Sequence, residues 1–147
     1  MREFTFTFII FVLIIYFTSC GSGIQTINVA LSSNVDANGG NAVVIKIYQL
    51  TNNDKFLYAN RNSLLKNAEE TLANDLIPNS IIEKTMVPDD NYDLNELELN
   101  KDTAFLGVLG DFYSPAKDGW KLIIPVDSDT EHLKILILEN SLSLQKE

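Results

Sequence analysis

The chain has 147 residues, 46% of them hydrophobic and 21% charged, with a formal net charge of −9. That length holds one domain with a single continuous core. An acidic chain without a clustered Lys/Arg stripe argues against a nucleic-acid binder and against electrostatic adhesion to anionic lipid.

The apolar run Phe4 to Phe17 comes first, followed by Thr18-Ser19-Cys20. Cys20 is the only cysteine, so it has no internal disulfide partner. The run is shorter than the ~20 residues a spanning helix needs, and it ends in small residues. A bulky apolar residue, two small ones and then Cys resembles a bacterial lipobox. On that reading residues 1–19 are a lipoprotein signal peptide, and lipid is attached to Cys20. An ordinary secretory signal and an uncleaved membrane helix are the alternatives. Arg2 and Glu3 cancel, so cleavage leaves the net charge unchanged. Residues 20–23 then form a lipidated flexible spacer, and residues 24–147 form the domain. Gly21 follows the cysteine where Asp would signal retention, so sorting to the outer membrane is expected.

Ile24 to Leu31 is predicted as a strand, with Ile27, Val29 and Leu31 on one face. The loop that follows holds Ser33, Asn34, Val35, Asp36, Ala37, Asn38, Gly39, Gly40 and Asn41. Asn38-Gly39 is a hairpin signal, because both residues tolerate positive φ. Val35 is the one bulky apolar side chain in the loop. Ala42 to Leu50 is the clearest strand. Its face Val43, Ile45, Ile47 is uniformly apolar, whereas Val44, Lys46, Tyr48 and Leu50 are mixed and need a cover. Phe56 to Ile77 is the one helical region, read as two short helices or one bent one. Its stripe is Leu64, Leu65, Ala68, Leu72, Ala73 and Leu76; Asn60 or Asn62 is its cap, and Pro78 closes it.

The remainder is predicted as strands: Ser80 to Val87, Tyr92 to Leu99, Thr103 to Tyr113, Trp120 to Val126 and Leu133 to Leu138, with a weak edge strand over Ser141 to Gln145. Thr103 to Tyr113 is apolar on both faces, which marks a central strand. Regular turn signals between such strands suggest an antiparallel sandwich.

The residues assemble no chemical site of any strength. His132 is the only histidine and borders an acidic turn. Asp127 to Glu131 lacks the spacing of a calcium loop. Asp89 and Asp90 sit adjacent in a turn and point apart, which suits a turn better than an acid/base pair. Trp120 and Tyr113 are expected as core or sheet-face aromatics. No catalytic residue, metal or cofactor is assigned, and the chain is expected not to be an enzyme.

From Asn38 onward the order of features resembles the TssJ family, the outer-membrane lipoproteins of the type VI secretion system. Val43-Val44-Ile45-Lys46-Ile47-Tyr48-Gln49-Leu50 is similar to that family's Val-Val-x-Arg-Ile-Tyr-Gln-Leu strand. Phe56 and Ala59 match its Phe-x-x-Ala segment, and Leu72-Ala73-Asn74-Asp75-Leu76 its Leu-Gly-Asp-Asp-Leu. Val87-Pro88, Leu97-Glu98-Leu99, Phe105-Leu106-Gly107-Val108 and Trp120 to Pro125 follow in the family's order. Arg61 and Asn62 depart from it by replacing aromatics, which is expected to loosen the helix packing.

The resemblance implies a mostly β fold: a transthyretin-like antiparallel β-sandwich with a small helical insertion after the second strand. It also implies a structural role, pinning the secretion machine's trans-envelope complex to the outer membrane. The partner would be the periplasmic C-terminal domain of TssM, bound by the loop Ser33 to Asn41. Outer-membrane lipid would be held through acyl chains on Cys20, with no small-molecule substrate. Gly39 and Gly40 suggest a loop that orders on binding. The alternative is a periplasmic lipoprotein sandwich that binds an unrelated small molecule, lipid or glycan, for which an aromatic-lined cavity between the sheets would speak.

Overall fold

Alternation with period two shapes the first strand, β1 (Thr26–Ser33), which buries every second residue from Ile27 to Ser33. The computed structural model describes residues 23–145. Cys20, the signal segment 1–19 and most of the spacer lie outside the described residues. After β1 come β2 (Val43–Leu50), three short helices α1 (Asp54–Tyr58), α2 (Arg61–Lys66) and α3 (Ala68–Leu72), then β3 (Ile82–Met86), β4 (Asn91–Glu98), β5 (Phe105–Asp111), β6 (Lys121–Pro125), β7 (His132–Ile137) and β8 (Leu142–Gln145).

The strands form two four-stranded sheets, ordered β4-β1-β7-β8 and β3-β2-β5-β6. Their inner faces enclose Ile27, Val29, Leu31, Val43, Ile45, Ile47, Leu106, Val108, Phe112, Ile135 and Ile137. This is the sandwich expected from the alternation. All strand pairs are antiparallel except β1 with β7, which run parallel from Asn28↔His132 to Ser33↔Ile137.

The Asn38-Gly39 signal has a different outcome from the hairpin expected. Both residues do adopt positive φ, 50° and 63°. Yet β1 and β2 belong to different sheets, so the segment carries the chain across the end of the sandwich. A left-handed pair reverses direction locally; the apolar faces on either side decide which sheet the next strand joins.

The helices cover the outer face of the second sheet, where Tyr48, Leu50 and Leu109 pack against Phe56, Leu64, Leu72 and Leu76. The mixed face of β2 thus has the cover it required. The region holds three α-helices and a short 3-10 turn, Ala73–Asp75, rather than one or two helices, because Ala59 is extended and Asn67 leaves helical geometry. Ala73, expected on the apolar stripe, is exposed at φ 44°. Asn60 supplies the cap of α2, its side chain accepting from Ser63 N–H at 2.9 Å. The aromatic-to-Arg61 change does not leave the helix loose: Arg61 Nη2 donates to Asp111 Oδ1 and to the Phe112 carbonyl, tying α2 to the end of β5. Lys121 Nζ donates to the carbonyls of Phe56, Leu57 and Ala59 at 2.8, 2.7 and 3.1 Å, closing the end of α1.

Candidate functional site

β1 gives the molecule two ends. Its start adjoins Gly23, the first described residue, and its finish opens into the loop Ser33 to Asn41. Eight strand residues separate them by roughly 26 Å. The same finish end gathers the connection from β3 to β4, the connection from β5 to β6, and the turn from β7 to β8.

The loop is fixed by its main chain. Asn34 N–H donates to Ile137 O at 2.9 Å, while Asn34 O accepts from Ala37 N–H at 3.1 Å and Asp89 N–H at 3.2 Å. Ser33 N–H donates to Asp90 O at 2.8 Å, and Gly39 N–H returns to Asp36 O at 3.0 Å. Ala37 and Asn38 are buried. Asn38 does most of the locking. Its Nδ2 donates to Ala42 O and its Oδ1 accepts from Tyr113 N–H, both at 2.6 Å, while its own N–H reaches Leu138 O at 3.4 Å. Asn41 Nδ2 donates to the carbonyls of Asn38 and Gly39, each at 3.2 Å. A loop expected to order on binding is therefore already ordered.

Among the nine predicted loop residues, Asn34, Val35, Asp36, Gly39, Gly40 and Asn41 face solvent, and Ser33, Ala37 and Asn38 are buried within the fold. Val35 is 71% exposed. Tyr113 corrects the expectation of a core or sheet-face aromatic, being 91% exposed just beyond the end of β5. Phe112 takes the interior position beside it. The signal available in the sequence was Tyr113-Ser114-Pro115, which ends the strand before Tyr113 can re-enter a face.

The other candidates are structural. Asp89 has φ 60° in its turn, and Asp90 Oδ1 accepts from Asn91 N–H at 2.9 Å. Asp127 Oδ1 accepts from Thr130 Oγ1 at 2.8 Å and Asp129 N–H at 3.1 Å. These bonds, the Thr130 hydroxyl foremost, hold its carboxyl below the usual value. His132 is exposed, its Nδ1 3.4 Å from Asn28 Nδ2. Among the described residues, no three His, Cys, Asp or Glu side chains cluster as metal ligands.

Between the sheets lies a core of buried apolar side chains. A cleft of about 700 Å³ opens at the start end, lined by Ile24, Gln25, Gln49, Pro78 and Glu98 among others, with no aromatic side chain in its wall. The feature that would have favoured a small-molecule binder is not what this cleft offers.

The geometry is that of a two-sheet platform, with its first described residue at one end and a hydrogen-bonded loop at the other. A sequence model of the type VI secretion lipoprotein family (VasD, EvfM, TssJ, VC_A0113) matches residues 25–142, and the chain belongs to that family. Among solved structures, the lipoprotein TssJ1 of the type VI secretion system from Pseudomonas aeruginosa is similar at 20% identity and a TM-score of 0.77, covering 84% of this chain and 97% of that one. A chain of a type VI membrane complex is similar at 26% identity and a TM-score of 0.73, covering 84% and 99%. A chain in the structure of the TssM C-terminal domain from EAEC is similar at 22% identity and a TM-score of 0.70, covering 84% and 100%. No curated protein matches the chain by sequence.

Proposed function

We propose that this type VI secretion lipoprotein is acylated on Cys20, sits in the outer membrane with its domain in the periplasm, and pins the trans-envelope complex there. It does so by binding the periplasmic C-terminal region of TssM through the exposed part of the loop Ser33 to Asn41. Family membership supports the class. Similarity to chains in structures of a type VI membrane complex and of the TssM C-terminal domain supports the partner. The observation that carries the reading is the separation of the two ends of β1. A tether at the start of the domain leaves the rigid loop pointing away from the anchored end. Several acyl chains on one N-terminal cysteine hold far more firmly than one, since each buried CH₂ contributes about 0.8 kcal/mol. The role is mechanical and needs neither cofactor nor bond chemistry.

The test uses the full chain expressed with its export pathway intact. Radiolabelled palmitate is expected to enter the wild type and not Cys20→Ser, and Cys20→Ser is expected to leave the membrane fraction. Val35→Asp is expected to abolish pull-down of the TssM region and to block secretion. Wild-type protein that takes up no palmitate removes the anchor; Val35→Asp protein that binds and secretes normally removes the loop.

A further inference from the structure

Three exposed apolar side chains stand at the finish end of the sandwich on three separate connections. Val35 lies on the β1–β2 loop, Val87 between β3 and β4, and Tyr113 between β5 and β6; they are 71%, 51% and 91% exposed. Hydrogen bonds lace these connections together. Asp89 N–H donates to Asn34 O, which ties the Val87 turn to the residue before Val35. Tyr113 N–H donates to Asn38 Oδ1, which ties Tyr113 to the buried side of the same loop. Each apolar group is therefore mounted on fixed backbone, and none is covered by the other described residues.

Acidic side chains border them. Asp36 follows Val35, Asp89 shares the Val87 turn, and Glu139 follows Leu138, whose carbonyl accepts from Asn38 N–H. All three are exposed, and on the β5–β6 connection the exposed Lys117 and Asp118 offset each other. Asp111 is already neutralised by Arg61.

We infer that the docking surface is composite: Tyr113 and Val87 join Val35 as its apolar centre, inside an acidic rim. This rests on the functional reading above and specifies the partner's face, which must offer an apolar socket bordered by Lys and Arg. An aromatic anchor in a dry centre carries most of the affinity of such a surface, while rim charges act on the rate of encounter. Preorganisation by Asn38 lowers the ordering cost that a mobile loop would impose.

The experiment measures binding of the detergent-solubilised full chain to the purified TssM periplasmic C-terminal region. Tyr113→Ala is expected to weaken binding roughly 30-fold or more, and Val87→Ser by several-fold, with melting temperatures unchanged. Wild-type association should slow on the order of tenfold from low to high salt. The double change Asp36→Lys with Glu139→Lys should flatten that dependence. Tyr113→Ala and Val87→Ser proteins that bind like wild type, while Val35→Asp does not, overturn the composite surface and leave the loop reading standing. Salt-independent association overturns the rim. Wild-type protein that does not bind the TssM region overturns the functional reading and, with it, this partner.

Discussion

Asn38 and Tyr113 lie 75 positions apart, and the buried carboxamide oxygen of the first accepts the main-chain N–H of the second at 2.6 Å. The same side chain donates to Ala42 O at 2.6 Å, and its backbone holds a φ of 50°. One residue thus fixes the loop's turn and fastens it to the neighbouring connection. Asn38→Gly keeps the φ and loses both side-chain bonds, for an expected cost of about 1–3 kcal/mol. Asn38→Ala adds the left-handed strain of a side chain with no local hydrogen bond, about 1 kcal/mol more. Urea unfolding of the two variants separates these contributions. If the loop docks as proposed, both should also weaken binding to the TssM region, since the exposed groups lose their mounting.

Gln49 plays the corresponding part at the start end. Its Oε1 accepts from Asn100 N–H and Thr103 Oγ1, each at 2.8 Å, and its Nε2 donates to Glu98 O at 3.0 Å. A side chain from the second sheet thereby satisfies the chain where β4 leaves the first. Gln49→Leu keeps the bulk and orphans those groups, so a loss of about 2–3 kcal/mol is expected in denaturant unfolding. Gln49→Glu keeps the acceptor and loses the donor, and should cost more at neutral pH than below pH 4, where the carboxyl regains a proton to donate.

These two residues show which parts of the fold could be read in advance. Strand faces were legible because burial repeats every second residue: Val43, Ile45 and Ile47 were placed inward, as they lie. The central strand was legible because it is apolar on both sides, and β5 does lie between β2 and β6. Long-range polar ties were not. Nothing in the local pattern of Asn38-Gly39 reveals that its carboxamide turns inward to Tyr113, and Gln49 is simply a polar residue in an apolar strand. The site was legible only in part. Val35 stood out as an apolar residue among turn formers, but the exposure of Tyr113 follows from where β5 ends, and strand ends are the least determined feature of an alternating pattern. Cys20 belongs to the lipobox reading alone, outside the described residues.

Gly107 explains why the resembling motif Phe105-Leu106-Gly107-Val108 carries a glycine in mid-strand. A Cβ there would stand 2.8 Å from Phe56 Cε2. Phe56 is fully buried and packs on Tyr48 with ring centroids 5.6 Å apart, so the ring has little room to retreat. Gly107→Ala is expected to cost about 1–3 kcal/mol by overpacking. Combining it with Phe56→Leu should return part of that loss, a coupling that a double-mutant cycle reads directly.

Tyr48 gives the fold a sensitivity to alkali. Its hydroxyl is buried under α2 and donates to Leu64 O at 3.3 Å. Burial, and secondly the charge of Glu83, push its ionisation well above the ordinary 10.0. A raised value means that the folded state keeps a proton the unfolded chain releases. The stabilisation is complete below pH 10.0 and is lost as pH rises beyond it, by up to about 1.4 kcal/mol per pH unit. Tyr48→Phe should cost about 1 kcal/mol at pH 7 through the missing hydrogen bond, yet fall less steeply above pH 10. The two proteins' stabilities should therefore converge on alkaline titration, since the lysines contribute equally to both. Parallel curves through pH 11 would mean that the phenol ionises in the fold as readily as in the unfolded chain, and the packing of the helices against β2 would have to be looser than the contacts among Tyr48, Phe56 and Leu64 require.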